Sequence, residues 1–214
     1  MLTSSQHAAR LLHTQFGVPA GRIHPTPDCV NPDTFNPAVA SPAKIRALKQ
    51  SLKIPPHKQL IVYVGLLTEY QGIDLLLQAL TLLKERRQDF HLLLMGFGYL
   101  NRYRALARRL ELDQVVTFTG KMPYERLPVH LALGDVAVAP KLSATEGNGK
   151  ILNYMSMALP TVAFNTPVSQ EYLGRHGMYA RTRAPQALAD VLERSLNLSP
   201  AAKTQLGRTL RQRV

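Results

Sequence analysis

The chain has 214 residues, enough to bury one large core, and 45% of them are hydrophobic, an ordinary share for a globular protein. Its net charge of +12 favours anionic partners such as nucleotides, nucleic acid or an acidic membrane face, and fits equally well a basic surface that is merely solvated. The one cysteine, Cys29, excludes an intrachain disulfide, and no run reaches the ~20 apolar residues of a membrane span.

The start, "MLTSSQHAARLL", lacks the apolar stretch of a signal peptide, so the expected setting is the cytoplasm, with contact to a membrane surface left open. Residues 1–20 read as an amphipathic helix capped by Ser4 or Ser5. Five prolines from Pro25 to Pro42 exclude regular helix or central strand, which predicts an ordered linker. "LIVYV" (60–64) is short, apolar and β-branched, and predicts a strand buried on both faces and stopped by Gly65. Ile73, Leu76, Leu77, Leu80 and Leu83 form a helical stripe, with Asp74 in its first turn and "KERR" (84–87) in its last.

"FHLLLM" (90–95) predicts a second strand closed by "GFG" (96–98), and Tyr103, Ala107 and Leu110 space a basic helix. "VVTF" (115–118) and "DVAVA" (135–139) predict two more strands, with a short helix opened by Pro128 between them. A helix over 149–158 and a strand over 161–164 follow. Leu188, Val191 and Leu192 mark a further helix, and residues 200–213 look helical and basic. Alternating strands and helices predict a parallel sheet covered on both faces, with ligands bound beyond the carboxyl ends of its strands. That edge comprises residues 65–72, 96–99, 120–124, 140–149 and 165–168, and glycines in four of these loops permit close approach of backbone N–H groups.

Common chemical motifs fit poorly. "EGNGKI" lacks the first glycine and the Ser/Thr of a phosphate-binding P-loop, and "GFGYLN" has Asn101 where a dinucleotide fingerprint needs glycine. The scattered histidines form no metal motif, and no G-x-S-x-G elbow is present. Arg102, Arg104, Arg108 and Arg109 could face nucleic acid, but Tyr103 lies on the apolar stripe, so a solvated basic face is the preferred reading and no nucleic-acid partner is expected.

Six stretches, in order, resemble landmarks of glycosyltransferase family 4, of the two-lobed GT-B fold: "PDCVNPDTFNP", "VYVGLLTEYQGIDLLLQAL", "LLLMGFG", "VVTFTGKMPYERLP", "GDVAVAP" and "EGNGKILNYMSMALPTVAF". They cover about residues 20–195. The resemblance implies an α/β, Rossmann-like, doubly wound parallel sheet that forms the C-terminal, donor-binding half of such an enzyme. It implies sugar transfer from a nucleoside-diphosphate sugar with retention, with no metal and no cofactor required. Residues 1–45 would be a remnant of the missing N-terminal lobe plus the linker, 46–199 the nucleotide-sugar-binding domain, and 200–214 a basic C-terminal helix.

By the same resemblance Glu146 is the catalytic carboxylate. The donor site is then Gly65, Gln71, Gly96, Gly98, Lys121, Met122, Thr145, Gly147, Asn148, Gly149, Lys150, Ile151 and Asn153. The pattern departs from the family at three points. Leu66 and Gln71 stand where an Arg and a Lys usually face the diphosphate, and Asn153 replaces the second of two glutamates. Counting back from Asn153 leaves Thr145 or Glu146 for the first glutamate, with Glu146 favoured by "EGNG". Three readings therefore stand: a donor-binding lobe, a non-catalytic nucleotide-sugar module or truncated product, and a nucleotide-sugar epimerase of the same fold. Without the resemblance, Asn148 reads as a helix cap and Glu146 and Lys150 as solvated, the lysine mildly opposed by the dipole of the helix it starts.

Overall fold

The structure, a computed structural model, describes residues 1–214. Six parallel strands form the central sheet: β3 (Gln59–Leu67), β4 (Phe90–Gly98), β5 (Val116–Gly120), β6 (Val136–Ala139), β7 (Thr161–Phe164) and β8 (Met178–Ala180). Their spatial order is β5-β4-β3-β6-β7-β8. The chain therefore winds outward from β3 through β4 to β5, then returns to the other side of β3 and winds outward again. The crevice between β3 and β6 is the switch point, where a ligand can sit between loops that part in opposite directions.

Helices cover both faces. On one face α3 (Ile73–Arg86), α4 (Leu100–Arg109) and α8 (Pro185–Leu196) pack into a core of 27 buried residues. On the other, α5 (Leu127–Leu131), α6 (Lys150–Ser156), α7 (Pro167–Leu173) and α9 (Pro200–Arg211) help bury 23. The near balance explains why the central strands read as continuous apolar runs and not as alternating ones. The Pro-rich linker belongs to the second core through Phe35, which is fully buried. α2 (Pro42–Ser51) crosses the expected boundary at residues 45/46, so the chain is continuous helix there.

The N-terminal segment folds back onto the sheet domain. β1 (Leu2–Thr3) pairs with β2 (His24–Pro25), and α1 (Gln6–Phe16) is capped by the Ser5 hydroxyl, which accepts from the Ala8 N–H at 3.0 Å. The α1 N–H groups of Gln6 and His7 donate to the Glu171 carboxylate on α7, at 3.0 and 2.6 Å. A carboxylate at a helix start is favourable both as an acceptor and in the dipole's field.

Several expectations need correction. β3 does not stop at Gly65 but runs to Leu67, and β4 runs through the "GFG" to Gly98. Gly65 and Gly96 face each other in the ladder, and a Cβ on Gly96 would overlap the Gly65 carbonyl oxygen. Gly96 thus lets the ladder continue past Gly65, where a side chain would not fit between the strands. α6 covers seven residues and not ten, because Ala158 takes a left-handed turn at φ 54 that ends it. Pro128 is the second residue of α5, not the first. α7 and β8 were not anticipated as elements: α7 mixes apolar and polar side chains, and β8 has only three residues.

Candidate active site

The site is built at the β3/β6 switch point by two loops. After β3 the chain makes a single 3-10 turn over Glu69–Gln71 and leaves through Gly72, at φ 77. A side chain on Gly72 would overlap the Pro140 carbonyl just beyond β6, so glycine lets the two loops close on each other. The turn buries Gln71, which is 6% exposed. Its Oε1 accepts from Nζ of Lys150 at 2.5 Å. Two predicted residues 79 positions apart thus meet across the crevice. The ammonium reaches the spot where the side chain of residue 71 ends, so charge is delivered there from the opposite loop.

Lys150 is tightly housed. Asn148 Oδ1 lies 3.5 Å from Nζ, and the Tyr63 ring lies below it at 5.2 Å. A Cβ on Gly65 would come within 2.8 Å of Lys150 Cε, so Gly65 makes room for the lysine stem. No carboxylate pairs with Lys150. Burial, and next the charge of Lys141, push its pKa down to about 7, against a weaker opposite pull from Glu146. The strain on this cation thus comes from desolvation and a like charge. The helix dipole contributes little, since α6 is less than two full turns.

Glu146 lies on the same loop with its side chain 55% exposed, and its Oε2 is 2.8 Å from Nζ of Lys141. Gly147 donates its N–H to Ser4 Oγ at 2.9 Å and accepts from Lys141 Nζ at 2.7 Å. The Thr145 carbonyl accepts from Ser5 Oγ at 2.7 Å. Asn148 does not cap α6, contrary to the bland reading. Gly149 is the cap residue, and the Asn148 carbonyl accepts from Ile151 N–H at 2.9 Å. The N–H groups of Gly149 and Lys150 find no acceptor in the chain, as is usual for the first donors of a helix.

The remaining predicted residues form a second group. Gly65, Gly96 and Met122 line a recess of about 250 Å³ with Val64, Met95 and Phe97. Gly98 ends β4 at the rim, and Lys121 places its ammonium 5.7 Å from the centre of the Phe97 ring. Ile151 is fully buried in the core, and Asn153, in the middle of α6, is half-buried and makes no side-chain hydrogen bond. The main residue missed is Lys141, whose side chain is 5% exposed. The available signal was a lysine directly after the β6 strand and Pro140, on the ligand edge. Tyr154 was missed too. It is buried, and its hydroxyl accepts from Val64 N–H at 2.8 Å, tying α6 to the end of β3.

A six-stranded parallel sheet covered by helices on both faces, with a buried lysine at its switch point and a small apolar recess beside the ends of β3 and β4, is a Rossmann-like α/β fold. A family model described as Glycosyl transferases group 1 matches residues 58–197, and the chain belongs to that family. It is 29% identical over 183 residues to a GDP-mannose-dependent alpha-(1-6)-phosphatidylinositol monomannoside mannosyltransferase of Mycobacterium tuberculosis, covering 81% of this chain and 46% of that one. A glycosyltransferase of Rickettsia africae superimposes with a TM-score of 0.88 at 19% identity, over 99% of this chain and 57% of that one. The Anabaena protein HepE, solved with UDP and glucose, gives 0.84 at 18% identity, over 99% and 58%. The fold is thus that of the C-terminal lobe of GT-B glycosyltransferases. The chain spans about half the length of the relatives it matches.

Proposed function

We propose that this chain is the donor-binding half of a glycosyltransferase that moves a sugar from a nucleoside-diphosphate sugar to an acceptor, with retention and without a metal. The observation that carries this reading is the contact of Lys150 with Gln71 across the crevice. It supplies a cation at the end of β3 although both family cations of that loop are replaced. The diphosphate lies against Lys150, Asn148 and the free N–H groups of Gly149 and Lys150, and the recess beside Gly96 and Met122 takes the base. Breaking the sugar–phosphate bond leaves negative charge on the diphosphate. Fixed donors in a low-dielectric site stabilise that charge as it develops. Glu146, in preference to Thr145, orients the sugar hydroxyls.

Calorimetric titration with UDP, GDP and the matching nucleosides tests the reading. A diphosphate binds and its nucleoside binds far more weakly, with the same affinity in EDTA. Absence of binding by both diphosphates defeats it. The chain alone binds donor but transfers no sugar at a normal rate, since its relatives are about twice as long. Contact with an anionic membrane is a separate part of the proposal. On the terminal helices Lys203 and Arg211 donate to acceptors within the molecule, and Arg213 just beyond does the same, so the attraction falls to exposed residues such as Arg208. Sedimentation with anionic vesicles checks it, and no binding at low salt ends it.

A further inference from the structure

Glu146 is held from behind as well as offered to a ligand. Its loop contains two glycines, Gly147 and Gly149, and ordering such a segment costs backbone entropy. Three side chains bracket it. Lys141 Nζ contacts the Glu146 carboxylate at 2.8 Å and the Gly147 carbonyl at 2.7 Å, so one buried ammonium fixes both the side chain and the next backbone unit. Its third direction faces the Tyr70 ring, at 5.9 Å. From the other side, Ser5 Oγ donates to the Thr145 carbonyl and Ser4 Oγ accepts from the Gly147 N–H, at 2.7 and 2.9 Å. The backbone is therefore pinned immediately before and immediately after residue 146, by a segment 140 residues away in sequence.

We propose that Lys141, Ser4 and Ser5 form a clasp whose task is to position the Glu146 carboxylate for the sugar of the donor. The proposal rests on the donor-site reading above. The pairing uses one carboxylate oxygen, Oε2, and leaves Oε1 without a partner in the chain. A carboxylate has acceptor capacity on both oxygens, so a sugar hydroxyl can donate to Oε1 while Oε2 stays on the lysine. The pair is kept in both free and bound states because a buried ammonium without its counter-charge is costly. Lys141 and the serines are positioning residues: they act through Glu146 and touch no substrate.

Two measurements on the 214-residue chain separate this proposal from the donor-site reading. The first needs no ligand. Amide hydrogen exchange across residues 144–149 accelerates about tenfold or more in Lys141→Met and in Ser4→Ala, while β3 and α3 exchange as before, and Lys141→Arg restores much of the protection. Ser4→Ala serves even if Lys141→Met fails to fold, because the Ser4 hydroxyl has the Gly147 N–H as its partner and caps no helix. The second is the affinity of UDP-glucose relative to UDP, and of GDP-mannose relative to GDP. Lys141→Met loses the preference for the sugar nucleotide as fully as Glu146→Gln does, about tenfold for a lost charge-assisted contact, while diphosphate affinity stays within about threefold. A merely structural lysine would lower both affinities together. Unchanged exchange in both variants, or a sugar preference kept in Lys141→Met, overturns the clasp. If no nucleotide binds the wild-type chain, the donor-site reading fails and exchange alone decides the clasp.

Discussion

The two loops that meet at the crevice carry opposite kinds of side chain. The loop after β3 offers Thr68, Glu69 and a buried Gln71 and has no cation, while the loop after β6 carries two lysines, Lys141 and Lys150. The family resemblance leads one to expect an Arg and a Lys on the first loop; Leu66 and Gln71 stand there, and Lys150 reaches Gln71 from the other side of the crevice. That placement has a physical consequence. A lysine on a surface loop is solvated and stays charged, whereas this one is half-buried, and desolvation first and the charge of Lys141 next make it acidic. Charge at this crevice is therefore pH-dependent near neutrality, and the same enclosure that weakens the ammonium strengthens its contact with an anion.

The junction of the loops is the place where the largest effect is expected. Gly72→Ala forces a left-handed residue into the Pro140 carbonyl. The cost is about 3 kcal/mol or more, from backbone strain and steric overlap together. Urea denaturation reads it as a lowered midpoint, and nucleotide binding falls with it. Wild-type stability in this variant would mean that the loops do not meet as described.

The next effect sharpens the comparison of charge. Lys150→Ala removes a charge-assisted contact of roughly 1.5–3 kcal/mol, so diphosphate affinity drops about 10- to 100-fold while the nucleoside binds as before. With a pKa of about 7, the wild-type amine sheds its proton as pH rises, so diphosphate affinity falls between pH 6 and pH 8 and the Ala variant shows a much flatter profile. Calorimetry at both pH values checks this. Equal slopes for the two proteins would remove Lys150 from the site.

Stability should move the other way. Lys150 has a folded pKa below its ordinary 10.5, so the unfolded chain binds more protons between about 7 and 10.5. The penalty for burying it is full below pH 7 and fades toward 10.5. Lys150→Met therefore stabilises the unliganded fold, on the order of 2 kcal/mol at pH 6, with the gain shrinking as pH rises through that window. Chemical denaturation at pH 6 and pH 9 decides it. A Met variant less stable than wild type at pH 6 would show that the amine is better solvated than its surroundings indicate.

The same two loops show what a sequence can carry. The six sheet strands bar β8, and most of the long helices, were legible because apolar runs and helical stripes report burial directly, as in "LIVYV" and Ile73–Leu83. The resemblance brought Glu146, Gln71 and Lys150 to one edge. It could not show that Gln71 and Lys150 touch, since that depends on Gly72 admitting Pro140. Lys141 was hidden because a lysine after a strand usually points to solvent, and only tertiary packing buries it. Ser4 and Ser5 read as helix caps, which Ser5 is, while their grip on the 145–147 backbone arises from a fold-back that no local pattern encodes. Glycine misled in the other direction: Gly65 and Gly96 looked like strand ends but continue the β3–β4 ladder, with no room for a Cβ on Gly96 against the Gly65 carbonyl.

The smallest expected effect lies away from the crevice and serves as its counterpart. Tyr103 on α4 is fully buried, and its hydroxyl donates to Asp74 Oδ2 on α3 at 2.8 Å. Burial first, and then Asp74, push its pKa up, so the phenol stays protonated and remains a donor. Asp74 keeps a second partner in Arg102, at 2.9 Å, when that hydroxyl is removed. Tyr103→Phe therefore loses one hydrogen bond without stranding a buried charge, which costs about 1 kcal/mol. The urea midpoint should fall accordingly, while diphosphate affinity and its pH profile stay as in wild type. Both lysines of the crevice lie on the opposite loop and share no partner with Asp74, so the two sets of changes should add. A Tyr103→Phe variant that alters the pH profile would mean that the α3–α4 face and the crevice are coupled, and that the charge at residue 150 depends on more of the molecule than its own two loops.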